Sequence, residues 1–147
     1  MGILDHVIAE GDIILQFIPQ RHPMVMVEKL HKAEGGKTIS SLSVKKDNIF
    51  CENGFMQEPG LIENIAQTAA VGVGFAYSNQ SKNIPTGYIG AVQKLNIYKL
   101  PEINKTIITE VNVELEVFNT TLINGKITCE DQIIAECSMK IFLDEKK

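Results

Sequence analysis

The sequence predicts an α+β fold in which an antiparallel sheet curls around one long helix. The helix is expected from the apolar segment at residues 59–77, which is rich in small side chains. Two β-like segments precede it and four follow it. Within the latter, residues 111–117 alternate valine or leucine with polar residues, a strict period of two that indicates a strand with one face in water.

Composition and length indicate a single soluble domain over residues 1–147. The chain is 44% hydrophobic and 22% charged, with a net charge of -4, which is too apolar for disorder. Its balance of charge is acidic, and no more than two Lys or Arg residues are adjacent. Both features argue against a nucleic-acid partner. Three cysteines without C-x-x-C spacing favour neither a disulfide framework nor a metal site. We therefore expect a reducing, cytoplasmic setting.

No export signal or membrane span is expected. The N-terminus has no basic region followed by an apolar core, and the long apolar segment carries Glu63, Asn64 and Gln67 near its beginning.

Before the long helix we expect a short helix and two strands. Residues 12–18 form a helix capped by Asp12, and residues 24–30 form an apolar strand. Gly35 and Gly36 make a turn into a second strand at residues 38–44.

The long helix starts at Pro59, where the missing N–H costs no hydrogen bond. Its small residues should let a sheet approach closely on several sides. Gly72 and Gly74 each lower the intrinsic helix propensity by about 1 kcal/mol, so tertiary burial must compensate.

After a loop at residues 78–87, we expect four strands that form an antiparallel meander. Asn124-Gly125 inside the third of them is compatible with a hairpin or a bulge, and the sequence leaves both open. The predicted strands are residues 88–98, 106–118, 122–129 and 133–143.

Several motifs resemble a known family. Residues 18–29, I-P-Q-R-H-P-M-V-M-V-E-K, resemble the L-P-H-R-x-P-x-L-L-V-D-R opening of 3-hydroxyacyl-acyl-carrier-protein dehydratases. Residues 63–67, E-N-I-A-Q, resemble their E-x-x-A-Q helix. Residues 87–90, G-Y-I-G, and 98–101, Y-K-L-P, look like the smaller dehydratase branch of aryl polyene and related pigment pathways.

This resemblance implies a hotdog fold that dimerises, with acyl-thioester pockets at the interface and no cofactor. The substrate would be carried on the phosphopantetheine arm of acyl carrier protein or on coenzyme A. A homodimer or a heterodimer with a related subunit is expected. The matched segments make the following residues candidates for substrate binding: Gln20, Arg21, Gly54, Gly60, Leu61, Gln67, Tyr88 and Gly90.

Glu63 matches the catalytic acid of the family. It lies one helical turn before Gln67 on the same face, so the two side chains can form a hydrogen bond. The alternative is that a Glu in the first turn of the helix only complements the helix dipole.

The family histidine is missing from this chain. Where the dehydratases have G-H-F-P-G, residues 53–60 read N-G-F-M-Q-E-P-G, and the histidine of the P-H-R motif is replaced by Gln20. An imidazole changes its charge near neutral pH and can act as a base, whereas an amide cannot. His22 is the nearest substitute, and in an extended strand it would share a face with Gln20. Packing beside Pro23 or simple surface exposure is the alternative.

The helix start offers a further hypothesis. The N–H groups of Gly60 and Leu61 would be unpaired within the helix and could hold the thioester oxygen as charge develops, or Gly60 could merely begin the helix. Cys51 has no nearby histidine and fits a bystander thiol better than a nucleophile.

These observations predict a 3-hydroxyacyl-thioester dehydratase acting in fatty acid or polyene pigment biosynthesis, with Glu63 as the acid and His22 as the base. Two rivals remain open. One is an acyl thioesterase, and the other is a non-catalytic hotdog subunit that binds an acyl chain or pairs with an active homologue.

Overall fold

A computed structural model describes residues 2–144 of the chain as nine strands, one α-helix and two short 3-10 helices. The helix α1 spans Glu58–Asn79, and the 3-10 helices span Ile3–Asp5 and Gly11–Gln16. The strands are β1 (Ala9–Glu10), β2 (Lys29–Glu34), β3 (Lys37–Ser43), β4 (Cys51–Glu52), β5 (Phe55–Met56), β6 (Thr86–Ile97), β7 (Thr106–Val117), β8 (Thr120–Cys129) and β9 (Gln132–Asp144).

Seven strands form one antiparallel sheet in the order β1-β2-β3-β7-β8-β9-β6, and β4 and β5 form a separate hairpin. The sheet packs against α1 through β2, β3, β6, β7 and β8. This confirms the predicted α+β architecture, with a long helix held by a curved sheet. The short helix expected near residues 12–18 is present as the 3-10 helix Gly11–Gln16.

The predicted strand at residues 24–30 is wrong for residues 24–28, because β2 begins only at Lys29 and continues to Glu34. Before it, Met26 has both of its backbone groups bound by helix side chains instead of a neighbouring strand. The N–H of Met26 donates to Gln67 Oε1 at 2.6 Å, and its carbonyl accepts from Asn64 Nδ2 at 2.7 Å. Because both backbone groups of Met26 are used in this way, neither is available for hydrogen bonds to a neighbouring β-strand.

The predicted meander is correct for β7, β8 and β9 but wrong for β6. This strand pairs with β9 at the far end of the sheet, where Tyr88 lies opposite Phe142. Asn124-Gly125 makes neither a hairpin nor a bulge, since both residues lie in regular pairing within β8. A Cβ on Gly125 would lie 2.3 Å from Ile65 Cγ2. Glycine is therefore needed there for the close approach of α1 to the sheet.

The small helix residues allow the close approach that the sequence predicts. A Cβ on Gly72 would lie 2.0 Å from Thr38 Oγ1, and one on Gly74 would lie 2.2 Å from the carbonyl oxygen of Phe17. Two groups of buried side chains enclose α1. The larger, which includes Leu61 and Ile65, lies against the sheet, and the smaller, which includes Val71, lies against the N-terminal segment.

The strand β6 is an edge of the sheet. Its pairing with β9 uses one side, and no other strand among residues 2–144 pairs with its second side. Large apolar side chains on it are open to solvent, with Tyr88 56% and Leu95 40% exposed. An exposed apolar edge strand is a template for pairing with a further strand.

Candidate functional site

A cavity of about 510 Å³ lies between α1 and the sheet. This volume is within the range of small-molecule sites. Its walls are mostly apolar, and small helix side chains leave the space open. The apolar lining comprises Phe17, Ala66, Ala69, Ala70, Val73 and Ala76 on one side and Val111, Val113, Ile123, Ile141 and Leu143 on the other.

Glu63 lines this cavity from the second turn of α1. The sequence placed it in the first turn, but the helix begins at Glu58, and Glu58 is the acidic residue of that turn. Since the effect of the helix dipole falls off within one turn, complementing the dipole explains Glu58 better than Glu63. Glu63 is half-buried instead, at the border of an apolar cavity.

Gln67 holds the Glu63 carboxylate as the spacing predicts. Its Nε2 donates to Glu63 Oε2 at 2.7 Å and to the Met24 carbonyl at 2.8 Å, while its Oε1 accepts from the Met26 N–H. Glu63 Oε1 makes no hydrogen bond with any residue between 2 and 144. The carboxylate is thus anchored through one oxygen, and its other oxygen has no protein partner among residues 2–144.

Gln20 lies in the wall of the same cavity, so the structure brings it and Glu63 to one site. Its neighbour Arg21 does not line the cavity but fixes the backbone there. Arg21 Nη1 donates to the carbonyls of Ile18 and Gln20, both at 2.8 Å. Arg21 is therefore placed to position the segment that carries Gln20.

The structure does not bring His22 to Glu63 in the same chain. Residues 22 and 23 form a turn, not the extended strand on which a shared face with Gln20 depends. The His22 side chain is 65% exposed, and its Nε2 lies 3.3 Å from Asp12 Oδ1 on the surface. Any role for this imidazole at Glu63 would have to come from a second subunit.

Gly60 and Leu61 are buried and lie outside the cavity wall. The N–H expected to be free at Gly60 donates to the Gln57 carbonyl at 3.0 Å. A Cβ at Gly60 would lie 2.7 Å from Phe50 Cβ, so the glycine is explained by packing. Of the two hypotheses for Gly60, the beginning of the helix fits this geometry.

The remaining candidates are dispersed. Gly54 lies in the turn of the β4–β5 hairpin with φ +86°, and its carbonyl accepts from Ile103 N–H. Tyr88 lines the cavity from β6. Gly90 lies beneath the Phe142 ring, where a Cβ would be 2.1 Å from Phe142 Cε2. Only Tyr88 of these three contributes to the site in this chain.

The sequence missed the role of Asn64 in holding the site. Besides its bond to Met26, its Oδ1 accepts from Thr109 Oγ1 at 2.5 Å. Its carbonyl accepts from Thr68 Oγ1 at 2.7 Å, and Ser40 and Thr68 share a further hydrogen bond. The signal was an asparagine next to Glu63 on an otherwise apolar helix, since a buried amide requires partners.

None of the cysteines has the character of a nucleophile. Burial, and then the nearby Asp47, raise the pKa of the Cys51 thiol. Burial raises the pKa of Cys137 to about 11. Both effects favour the unreactive thiol over the thiolate.

Two kinds of feature are absent from the described residues 2–144. No group of three or more His, Cys, Asp or Glu side chains there is placed to hold a metal ion. Within the same range, no helix has the length and apolar character needed to cross a membrane.

The model of the ApeP-like family, described as ApeP dehydratase, matches residues 13–147. The chain belongs to the ApeP-like dehydratase family. The dehydratase resemblance found in the sequence motifs is therefore confirmed at the level of the family. Among curated proteins, no sequence matches this ApeP-like chain.

Several solved structures share the fold of this chain. The dehydratase heterocomplex ApeI:P from Xenorhabdus doucetiae matches the ApeP-like chain with a TM-score of 0.78 at 16% identity, over 90% of this chain and 91% of that one. An uncharacterized protein from Pyrococcus horikoshii matches with a TM-score of 0.69 at 14% identity, over 89% of this chain and 93% of that one. A hypothetical thioesterase from Streptococcus pneumoniae with coenzyme A matches with a TM-score of 0.65 at 12% identity, over 80% of this chain and 86% of that one. These similarities confirm the predicted hotdog fold.

Proposed function

We propose that this ApeP-like chain is a subunit of a 3-hydroxyacyl-thioester dehydratase in which Glu63 is the catalytic acid. The observation that carries the proposal is the position of Glu63. It borders an apolar cavity, is anchored through one oxygen by Gln67, and has its other oxygen without a partner in the described chain. Membership of a dehydratase family supports the same chemistry.

The reaction needs a base and an acid. The base removes a proton from C2 of the acyl group, and the electron pair of the broken C2–H bond forms the C2–C3 double bond. Glu63 gives a proton to the C3 hydroxyl, which leaves as water. The apolar wall formed by residues such as Ala70 and Val73 would hold the acyl chain. The thioester would be carried on acyl carrier protein or coenzyme A, in cytoplasmic fatty acid or polyene pigment biosynthesis.

The base is proposed to come from a second subunit. Among residues 2–144, no histidine lines the Glu63 cavity, and His22 of the same chain lies on the surface beside Asp12. The exposed edge of β6 lies next to the cavity through Tyr88 and Ile89. A second subunit that pairs along β6 would thus adjoin the site, whether it is another copy of this chain or a related hotdog protein.

The role of Glu63 is tested with Glu63→Gln, assayed by hydration of crotonyl-pantetheine. We expect the rate to fall by roughly 100-fold or more, the usual effect of a lost general acid, with an unchanged melting temperature. Glu58→Gln is the matched control, because Glu58 is an exposed carboxylate on the same helix. Full activity of Glu63→Gln would reject the proposal.

The source of the base is tested with His22→Gln and, as its control, His6→Gln, whose side chain is also exposed. If a homodimer uses His22 of the second copy, His22→Gln loses hydration and His6→Gln does not. If both variants keep full activity in an active complex, His22 is excluded and the base belongs to a different subunit.

A non-catalytic acyl-binding subunit is the second candidate, favoured by the absence of a histidine from the cavity wall over residues 2–144. It predicts binding of acyl thioesters without turnover by the isolated chain, and turnover after a related subunit is added. Release of free thiol from an acyl-coenzyme A, with no hydration of the enoyl substrate, would instead indicate the thioesterase.

A further inference from the structure

The cavity beside Glu63 extends in one direction along α1. Glu63 borders it, and every other residue of the helix that borders it lies between Ala66 and Tyr77. Within this described helix, no residue from 58 to 62 contributes to the wall. The candidate acid therefore lies at one end of the cavity, and the remaining space lies toward the C-terminal end of the helix.

The sheet wall follows the helix in the same direction. Thr109 of β7 donates a hydrogen bond to Asn64 near the start of α1. Thr38 of β3, which pairs with β7, lies against Gly72 about two turns later. Glu116 lies further along β7 than Thr109 and borders the cavity toward the end of α1. Its carboxylate interrupts the apolar wall there, because a charged group loses solvation beside a hydrocarbon chain.

The length and the volume of the cavity both fit a long hydrocarbon chain. From Glu63 to Tyr77 the helix rises by about 21 Å, at about 1.5 Å per residue. An extended carbon chain covers about 1.2 Å per bond, as an extended polypeptide does, so about 17 bonds span this distance. The cavity volume of about 510 Å³ gives a similar limit. It holds about 17 groups the size of a water molecule, at about 30 Å³ each, and a methylene group has a similar size.

Small side chains of the helix keep this path open. Ala66 and Ala70 lie one helical turn apart on the half-buried face of α1 that borders the cavity, and Val73 follows them. The first aromatic side chain of the helix along this wall is Tyr77. The sheet contributes apolar side chains such as Ile123 on the opposite side. A hydrocarbon chain in this path would be removed from water on both sides, which favours its binding.

We infer that the site takes long acyl chains, of about 14 to 18 carbons, and that Ala66, Ala70 and Val73 determine how far a chain can extend. The inference rests on the proposed dehydratase function for the nature of the ligand, an acyl group whose C3 lies at Glu63. The rise of the helix then places about C7 beside Ala66, about C12 beside Ala70 and about C15 beside Val73. A second subunit along β6 leaves these distances unchanged, because α1 alone sets them.

The test measures the binding of three stable probes in which an amide replaces the thioester: hexanoyl-, decanoyl- and tetradecanoyl-pantetheine amide. Their dissociation constants are measured by calorimetry on the full chain, with its partner subunit if one co-purifies, below the concentration at which a probe forms micelles. For the wild type we expect the affinity to rise by roughly 10-fold or more at each of the two steps in length. Four fully buried methylenes can supply up to about 200-fold.

Substitutions along α1 should limit the chain at different lengths. Ala66→Leu fills the path near C7, so the hexanoyl probe should bind as before and the gain from hexanoyl to decanoyl should be lost. Ala70→Leu fills it near C12, so only the gain from decanoyl to tetradecanoyl should be lost. Val73→Phe fills it near C15 and should leave all three affinities unchanged. Ser78→Leu, at an exposed position of α1 outside the cavity wall, is the control and should keep the wild-type series.

Equal affinity of the wild type for the three probes would overturn the inference, and so would a loss at the same chain length in Ala66→Leu and Ala70→Leu. Melting temperatures identify a variant that fails to fold, and the smaller Ala66→Val or Ala70→Val then takes its place. Because binding needs no turnover, the outcome is separate from the Glu63→Gln assay. A graded series without hydration would refute the dehydratase and leave the chain-length inference standing, whereas hydration with a flat series would refute the chain-length inference alone.

Discussion

Gln67 donates a hydrogen bond from Nε2 to Oε2 of Glu63 across 2.7 Å, one helical turn further along α1. The same amide binds the carbonyl of Met24 and the N–H of Met26. One buried side chain therefore anchors both the candidate acid and the segment that leads from Gln20 to β2. These three hydrogen bonds join the Glu63 side chain of α1 to the segment at Met24 and Met26.

Replacing this amide should destabilise the fold and impair the site together. Gln67→Met leaves the Met26 N–H and the Met24 carbonyl without partners. We expect the free energy of unfolding to fall by roughly 2–4 kcal/mol, from three lost hydrogen bonds, as measured by urea denaturation. Gln132→Met, at an exposed position, is the control. Equal stability of the two variants would show that the Gln67 bonds contribute little.

The hydrogen bond from Thr109 to Asn64 should also be measurable. Thr109→Val keeps the shape of the side chain but leaves the buried Asn64 Oδ1 without a donor. The expected loss in unfolding free energy is about 1–3 kcal/mol. Thr128→Val is the matched control, because Thr128 is only partly buried and its hydroxyl makes a long bond of 3.5 Å to the Ile108 carbonyl. A similar loss in both variants would contradict this assignment.

Gly72→Ala tests the packing of α1 against β3. Alanine raises intrinsic helix propensity by about 1 kcal/mol, but its Cβ would lie 2.0 Å from Thr38 Oγ1. We expect net destabilisation of roughly 1–3 kcal/mol, as for an overpacked core. Combining Gly72→Ala with Thr38→Ala removes the clashing atom. The double variant should then be more stable than the sum of the single effects predicts, and strict additivity would argue against the contact.

The sequence predicts most of the elements because local patterns determine them. Period-two alternation identifies β7, and the run of small and apolar residues identifies α1, which extends only one or two residues beyond its predicted ends. The place of β6 beside β9 could not be read in this way. Nothing local to residues 86–97 distinguishes pairing with β7 from pairing with β9, since that choice depends on how the whole sheet closes around α1.

The parts of the candidate site that lie on the helix could be predicted from the spacing of residues. The parts that lie on the loop before β2 could not, because they depend on the path of the backbone. Glu63 and Gln67 are four residues apart on one helix, so their hydrogen bond follows from spacing alone. The position of the His22 side chain cannot be predicted without knowing the path of the backbone between Pro19 and Lys29. That path is set by long-range bonds from Asn64 and Gln67 to Met26, which turn an apolar strand-like segment into a loop.

The three cysteines should differ in reactivity according to their burial. Burial raises the pKa of Cys137 from its ordinary value of 9.0 to about 11. Cys51 is only partly buried, so iodoacetamide at pH 8 should label Cys51 first and Cys137 only after unfolding, as resolved by mass spectrometry of peptides. Rapid labelling of Cys137 in the folded chain would contradict this order.

The raised pKa of Cys137 also gives a pH dependence with a definite sign. Below pH 9 the thiol is protonated in both states, and its contribution to stability is fully present. Between pH 9 and about 11 the unfolded chain releases the proton and the folded chain keeps it, so stability falls as pH rises. Urea midpoints at pH 8 and pH 10 should therefore differ less in Cys137→Ala than in the wild type.

A charge on the exposed edge of β6 should prevent assembly and, with it, activity. Val92 is 38% exposed on this strand, and a charged side chain on an edge strand opposes pairing with another strand. Val92→Glu should shift the chain to a monomer in light scattering after size exclusion, and hydration of crotonyl-pantetheine should be lost with the second subunit. Ile49→Glu is the control, since Ile49 is 49% exposed and lies outside the strand. If Val92→Glu still assembles and remains active, the second subunit binds elsewhere, and the base cannot reach Glu63 across β6.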